Sequence, residues 1–168
     1  MKTILITGIS GVGKSTLTSE LSNKGYRAVD LDSPEWSVWS SDIATPIELG
    51  TPVKDDQDWI WNEKKVSVLL KNSMSDLLIV SGTAENMGGF IDAFDLIILL
   101  SASKPCLEKR LETRQSNNYG KRTEERLRVL DQKDTIEPLL RKLSDFEVST
   151  EGPLTQTVEK IEAMMAAI

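Results

Sequence analysis

Eight consecutive residues, Gly8-Ile9-Ser10-Gly11-Val12-Gly13-Lys14-Ser15, carry chemistry in their order as well as their types. They fit the pattern G-x-x-x-x-G-K-[ST] at every fixed position. Glycines let a backbone turn tightly enough to aim successive N–H groups at one anion, and a helix that follows adds the positive end of its dipole. Lys14 has the length to reach the outer phosphates of a nucleoside triphosphate. The Ser15 hydroxyl is a hard oxygen ligand for magnesium, and Thr16 stands next in line for a phosphate contact. At average residue usage the four fixed positions coincide by chance in well under about 1% of chains of this length. The glycines fall at 8, 11 and 13, which is not the G-x-G-x-x-G spacing of a dinucleotide site.

Such a site also needs a carboxylate near the magnesium, at the C-terminal end of a neighbouring strand. Two apolar runs, 77–81 and 96–100, carry their acids, Asp76 and Asp95, at the wrong end. The run 26–31 leads into Asp30-Leu31-Asp32 at the right one. Alternation along a strand puts Asp30 and Asp32 on one face. Asp30 is the candidate for holding a magnesium-bound water, and Asp32 for taking a proton from a substrate hydroxyl. A solvated turn before Pro34 is the competing reading. Glu85, just past the run 77–81, is either a further site acid or a surface one.

Six of the seven arginines lie between Arg110 and Arg141. Arg110 and Arg114 fall on adjacent turns of one helix, and a polar stretch then leads to Arg122. Phosphoryl transfer needs cations over the migrating group and a cover that excludes water, and this segment can supply both. Interleaved Glu108, Glu112, Glu124 and Glu125 also allow a salt-bridged surface helix.

The elements that must position these residues follow from composition and pattern. The 168 residues suit one domain, and 39% apolar with 27% charged residues suits one real core. A net charge of −6 argues against nucleic acid as a partner, and none is expected. One cysteine, Cys106, forbids an internal disulfide, and the absence of histidine removes histidine bases, histidine triads and the commonest zinc ligand. The run Ile4-Leu5-Ile6 is too short for a signal peptide, and no apolar run approaches the roughly 20 residues of a membrane span. A cytoplasmic protein without a membrane partner is therefore expected.

Apolar runs predict strands at 3–7, 26–31, 77–81, 96–100 and 146–149. Helical spacing predicts helices at 14–24 (ending at Gly25), 59–71 (with Trp59, Val66, Leu69 and Leu70 inward), 104–114, 123–142 (bent at Pro138) and 154–167. Residues 33–58, with three of the six prolines, read as irregular. Alternating strands and helices predict an α/β fold with a mainly parallel sheet.

With these features together, the chain resembles the small P-loop kinases: shikimate kinases, gluconate kinases and the nucleoside monophosphate kinases. The resemblance rests on residues 8–15, Asp30-Leu31-Asp32, Ser81-Gly82, Arg110-x-x-x-Arg114 and Val148-Ser149-Thr150. It implies a three-layer P-loop NTPase fold over 1–168, with a five-stranded parallel sheet in the order 2-3-1-4-5. It also implies an acceptor-binding insert at 33–75 and a lid at 114–123. Arg110, Arg114 and Arg122 would then face the phosphates, while Thr150 and Pro153 would lie beside the adenine. ATP as donor rests on this resemblance alone, since neither a guanine-type Asn-Lys-x-Asp pattern nor a clear adenine pattern decides it.

The departures bear on the acceptor. Gly82-Thr83-Ala84 stands where shikimate kinases carry three glycines, and Glu137 rather than an arginine precedes Pro138, so shikimate is not expected. Monophosphate kinases grip the acceptor phosphate with an arginine in the insert. From Asp32 to Lys71 there is none, and eight acids stand against four lysines. A neutral or cationic acceptor suits that field better. All four tryptophans fall in the insert; Trp36, Trp39 and Trp59, with Asp32, Gly82 and Glu85, are the acceptor-side candidates, and packing of the insert onto the core is the alternative.

The reading that results is transfer of the γ-phosphoryl group of ATP, with Mg2+, to a hydroxyl of a small neutral or cationic metabolite by a monomer or homodimer. Two alternatives stand beside it: a nucleoside monophosphate kinase, and a P-loop ATPase or switch acting with a macromolecular partner.

Overall fold

Runs of isoleucine, leucine and valine become the centre of a sheet because both faces are covered. In a computed structural model describing residues 2–40, 58–72, 75–115 and 118–168, seven strands form: β1 (Lys2–Thr7), β2 (Ala28–Asp30), β3 (Ser37–Ser40), β4 (Asp58–Trp61), β5 (Leu77–Ser81), β6 (Leu96–Ser101) and β7 (Phe146–Ser149). Five of them pair in parallel in the order β2-β5-β1-β6-β7. Counting only these five, that is the expected order 2-3-1-4-5. Ile4, Leu5, Ile6, Leu78, Ile79, Val80, Ile98, Leu99 and Leu100 are fully enclosed. Each such side chain is worth about 1.5–3 kcal/mol of burial, which makes the three central strands the rigid base of the molecule.

Helices α1 (Lys14–Asn23), α2 (Glu63–Lys71), α3 (Lys104–Thr113), α4 (Thr123–Thr135), α5 (Glu137–Leu143) and α6 (Leu154–Met165) cover the sheet. α1 packs on β2, β5 and α6, while α3, α4 and α5 stack in series and reach β6. Among the described residues, no helix is long and apolar enough to cross a membrane.

Three local readings need correction. Trp59 does not begin a helix: β4 pairs antiparallel with β3, and Trp39 lies directly opposite Trp59. Aromatic and β-branched residues favour this pleated pairing, and the helix starts only where the Asn62 side chain caps it by accepting from the Lys65 backbone N–H at 3.0 Å. Residues 33–58 are thus not irregular throughout, since they contain β3 and the start of β4. The single bent helix over 123–142 is two, because Pro138 lacks an N–H and sits well only in a first turn, that of α5. A 3₁₀ segment, Glu85–Ala93, follows β5 where no element was expected. Residues 41–57 of the insert, with Asp42, Glu48, Asp55 and Asp56, lie outside the described residues, as do 73 and 74 and, in the lid segment, 116 and 117.

Candidate functional site

β1 ends where Gly8 passes under β6. A Cβ on Gly8 would stand 2.5 Å from the Leu100 carbonyl oxygen and 2.8 Å from Val12 Cγ2, so no side chain fits. Gly13, with space around it, is required for a different reason: its φ of +106° lies in the left-handed region. Between these two residues the chain folds into a loop that delivers Lys14 to the first turn of α1.

Lys14 is buried to 8% exposure and its ammonium is fully engaged. It donates to the carbonyls of Gly8 at 2.5 Å and Ile9 at 3.3 Å, and it pairs with Asp32 Oδ2 at 3.2 Å. Asp32 follows β2 and is held from two further directions. Its Oδ1 accepts from the Thr83 backbone N–H at 3.0 Å and from the Trp59 indole N–H at 3.1 Å. Gly82 makes this possible, because a Cβ there would be 3.0 Å from Asp32 Oδ1 and 3.1 Å from the Trp61 ring. Asp30 lies deeper. Its Oδ1 accepts from the Asp32 N–H at 3.0 Å and, at 3.5 Å, from the Ser81 hydroxyl, which itself accepts from Thr18 at 2.7 Å.

A cavity of about 380 Å³ opens in front of this loop. The loop and the start of α1 form its floor, with Ser15 and Thr16 exposed to it. Arg110, Thr113 and Arg114 from the end of α3 make one wall; Thr150, Gly152 and Leu154 make another. Arg110 joins the two sides. It donates to Thr150 Oγ1 at 2.9 Å and the Thr150 carbonyl at 2.6 Å, and more weakly to the carbonyls of Val12 at 3.3 Å and Gly11 at 3.4 Å. The Thr150 hydroxyl in turn donates to the Val12 carbonyl at 2.6 Å.

Arg114 donates to the Ser10 hydroxyl at 3.2 Å and to the Tyr119 carbonyl. Burial pulls its guanidinium below the usual arginine range, partly offset by Tyr119 and Glu125. Its Nε is buried with no hydrogen-bond partner among the described residues. The cavity thus presents three cations, Lys14, Arg110 and Arg114, to one carboxylate, Asp32. An imperfectly paired, half-buried cation facing an open cavity marks a place for an anion.

The structure brings together residues 10–16, Asp32, Arg110, Arg114 and Thr150. It leaves other expected site residues outside the cavity lining. Arg122 is exposed at the N-cap of α4. Pro153 caps α6, and its neighbours Gly152 and Leu154 line the cavity instead. Asp30 bonds the Asp32 backbone N–H without lining the cavity, and Glu85 is exposed at the start of the 3₁₀ segment. Trp36 packs half-buried against the core. Trp39 and Trp59 pack against each other at a 53° tilt with centroids 5.2 Å apart, and Trp39 also meets Tyr119 at 5.1 Å.

A family model described as AAA domain matches residues 4–131. The chain belongs to the AAA domain family. No curated protein matches it. Among solved structures, this AAA domain is similar to shikimate kinase from Acinetobacter baumannii in complex with shikimate, at 17% identity and a TM-score of 0.61. The match covers 99% of this chain and 94% of that one. It is also similar to shikimate kinase from Bacteroides thetaiotaomicron, at 15% identity and a TM-score of 0.63 with 98% of each chain covered. A gluconokinase from Sinorhizobium meliloti shares 17% identity at a TM-score of 0.53, over 99% of this chain and 92% of that one. The shared fold is that of the small P-loop kinases.

Sequence reasoning missed Thr83, Asn86 and Tyr119. Thr83 exchanges hydrogen bonds with the ends of the loop: Oγ1 lies 2.8 Å from the Gly8 carbonyl, 3.1 Å from its N–H and 2.8 Å from Thr7 Oγ1. Its place just past the C-terminal end of a central strand was the available signal. Asn86 holds β4 by bonding both the N–H and the carbonyl of Trp61 at 3.0 Å. Nothing in the pattern marks it, because the partner is 25 residues away.

Proposed function

We propose that this AAA domain is a small-molecule kinase, moving the γ-phosphoryl group of ATP to a hydroxyl of a neutral or cationic metabolite. The observation that carries the reading is the Lys14–Asp32 pair at 3.2 Å, a phosphate-seeking cation beside a carboxylate that lines the same cavity. Among the described residues Lys14 has only carbonyls and Asp32 as partners, all of which a triphosphate outcompetes by charge. Its departure toward the phosphates frees Asp32 Oδ2 to accept the proton of an incoming hydroxyl, a general-base contribution of about 10²–10⁴-fold. Arg114 meets the transferred group, and Arg110 holds the wall on the side of the nucleoside. Residues 33–75 serve as the acceptor-binding insert and 114–123 as the lid, with Trp39, Trp59 and Asp32 on the acceptor side.

Magnesium fits the donors present, which are hard oxygens: the exposed Ser15 hydroxyl and the Asp30 side of the strand end. Among the described residues no group of three carboxylate, thiol or imidazole side chains could cage it, so phosphate oxygens and water would complete its shell. When bound, magnesium supplies charge neutralisation across the outer phosphates.

A phosphorylated acceptor is the second reading, and one contact favours it. Arg128 of α4 lies over the Trp39 ring, 5.4 Å from its centroid, so an arginine does reach the insert from outside it. The test is ADP release from Mg-ATP against a panel of nucleosides, sugars, amino alcohols and nucleoside monophosphates. Acceptor-dependent release above a weak basal hydrolysis is expected. Failure to bind any Mg-nucleotide, or hydrolysis stimulated only by a protein or nucleic acid, overturns the proposal.

A further inference from the structure

The two oxygens of Asp32 have different partners, and the difference is built by residues outside the phosphate loop. Oδ2 faces Lys14, whereas Oδ1 is saturated by two neutral donors, Thr83 N–H from the end of β5 and Trp59 N–H from β4. We infer that Trp59 is a positioning residue, which locks the Asp32 carboxylate so that Oδ2 alone is presented to the acceptor. The inference rests on the kinase reading of Asp32.

The indole is held firmly enough for that task. Its ring packs at a 53° tilt against Trp39, its cross-strand partner, and Trp39 is backed by Tyr119. Two residues along the same face of β4, Trp61 is fully enclosed and its backbone is clamped by Asn86. The indole N–H therefore cannot follow Asp32 if the carboxylate turns, so the turn itself costs the bond. Without that donor, Oδ1 keeps only Thr83, and the carboxylate can rotate to chelate the Lys14 ammonium with both oxygens. The base would then be engaged when Lys14 is needed at the phosphates. Because the donor comes from the hairpin, the base is correctly set only when β3 and β4 are docked.

Trp59→Phe separates positioning from packing, since it keeps an aromatic ring against Trp39 and removes only the N–H. Water is the acceptor in this test, so the readout is kcat and KM for basal Mg-ATP hydrolysis. Asp32→Asn, Trp59→Phe, Trp59→Ala and the double variant Asp32→Asn with Trp59→Phe are compared. The expected result is a kcat for Trp59→Phe lower by about tenfold with KM within about twofold of wild type, the scale of one lost hydrogen bond to a charged group. In the Asp32→Asn background, Trp59→Phe should add no further loss. A Trp59→Phe kcat equal to wild type, with loss only in Trp59→Ala, assigns Trp59 to packing and overturns the inference. So does an additive loss in the double variant. If Asp32→Asn itself leaves hydrolysis unchanged, the reading of Asp32 as base falls, and this inference with it.

Discussion

Replacing Arg114 by methionine separates two roles of one side chain, because a guanidinium in this setting opposes folding when the cavity is empty and supplies affinity when it is filled. Burial lowers its pKa, its Nε is buried without a partner, and it makes no salt bridge among the described residues. A half-buried guanidinium without a salt bridge forfeits part of its hydration, about 1–3 kcal/mol once solvent screening is allowed for, and a methionine of similar length forfeits none. Against that gain, the Tyr119 carbonyl loses its donor, at a cost of about 1–3 kcal/mol. The two nearly cancel, so the unfolding free energy of the nucleotide-free protein in urea should stay within about 2 kcal/mol of wild type. Binding behaves differently. A charge-assisted hydrogen bond to phosphate is worth about 1.5–3 kcal/mol, so loss of even one raises the Kd for Mg-ATP about tenfold or more. Calorimetric titration of Mg-ATP into the same preparations reads that change. Wild-type affinity in the variant, or a loss of more than about 4 kcal/mol in the nucleotide-free form, would make Arg114 a structural brace and refute the assignment.

Asp32→Asn keeps an oxygen for Trp59 and Thr83, so the protein should fold; kcat for acceptor-dependent ADP release should fall about 10²–10⁴-fold. Mg-ATP affinity in that variant should be equal or tighter, as Lys14 loses a competitor, and weaker binding by titration would contradict the picture. Gly8→Ala places a Cβ against the Leu100 carbonyl and should cost about 2–4 kcal/mol in urea unfolding, with nucleotide affinity falling alongside. The Arg141 guanidinium holds the Glu147 carboxyl at about 2, below its ordinary 4.5. A depressed folded-state pKa means stability present above pH 4.5 and lost as pH falls toward 2. With its side chain 35% exposed, the screened contribution is at most about 1 kcal/mol, and Glu147→Gln should flatten the stability–pH curve in that window by the same amount.

Much of this architecture is legible from local pattern. The parallel strands show as unbroken apolar runs because both faces are buried, and the loop shows as glycines at 8, 11 and 13 because each serves a backbone geometry. Asp32 could be picked from its place after a strand. What escaped were features set by partners distant in sequence. Trp59 has helix-compatible neighbours on its C-terminal side, yet its conformation is decided by Trp39 across the hairpin. Thr83 looks like an ordinary loop residue until the fold brings it within 2.8 Å of the Gly8 carbonyl. Arg122 shows the converse: its place in the arginine run is visible in the sequence, but its position at the exposed N-cap of α4, outside the cavity lining, is set by the fold.

The placement of Trp36, Trp39, Trp59 and Trp61 has a practical consequence, since the chain contains no other tryptophan. Indole emission therefore arises wholly from the segment around the β3–β4 hairpin, where Trp61 is fully enclosed and Trp36, Trp39 and Trp59 are half-buried. The protein thus carries its own optical probe beside Asp32, at the edge of the cavity, and unlabelled material is enough to follow events there in real time.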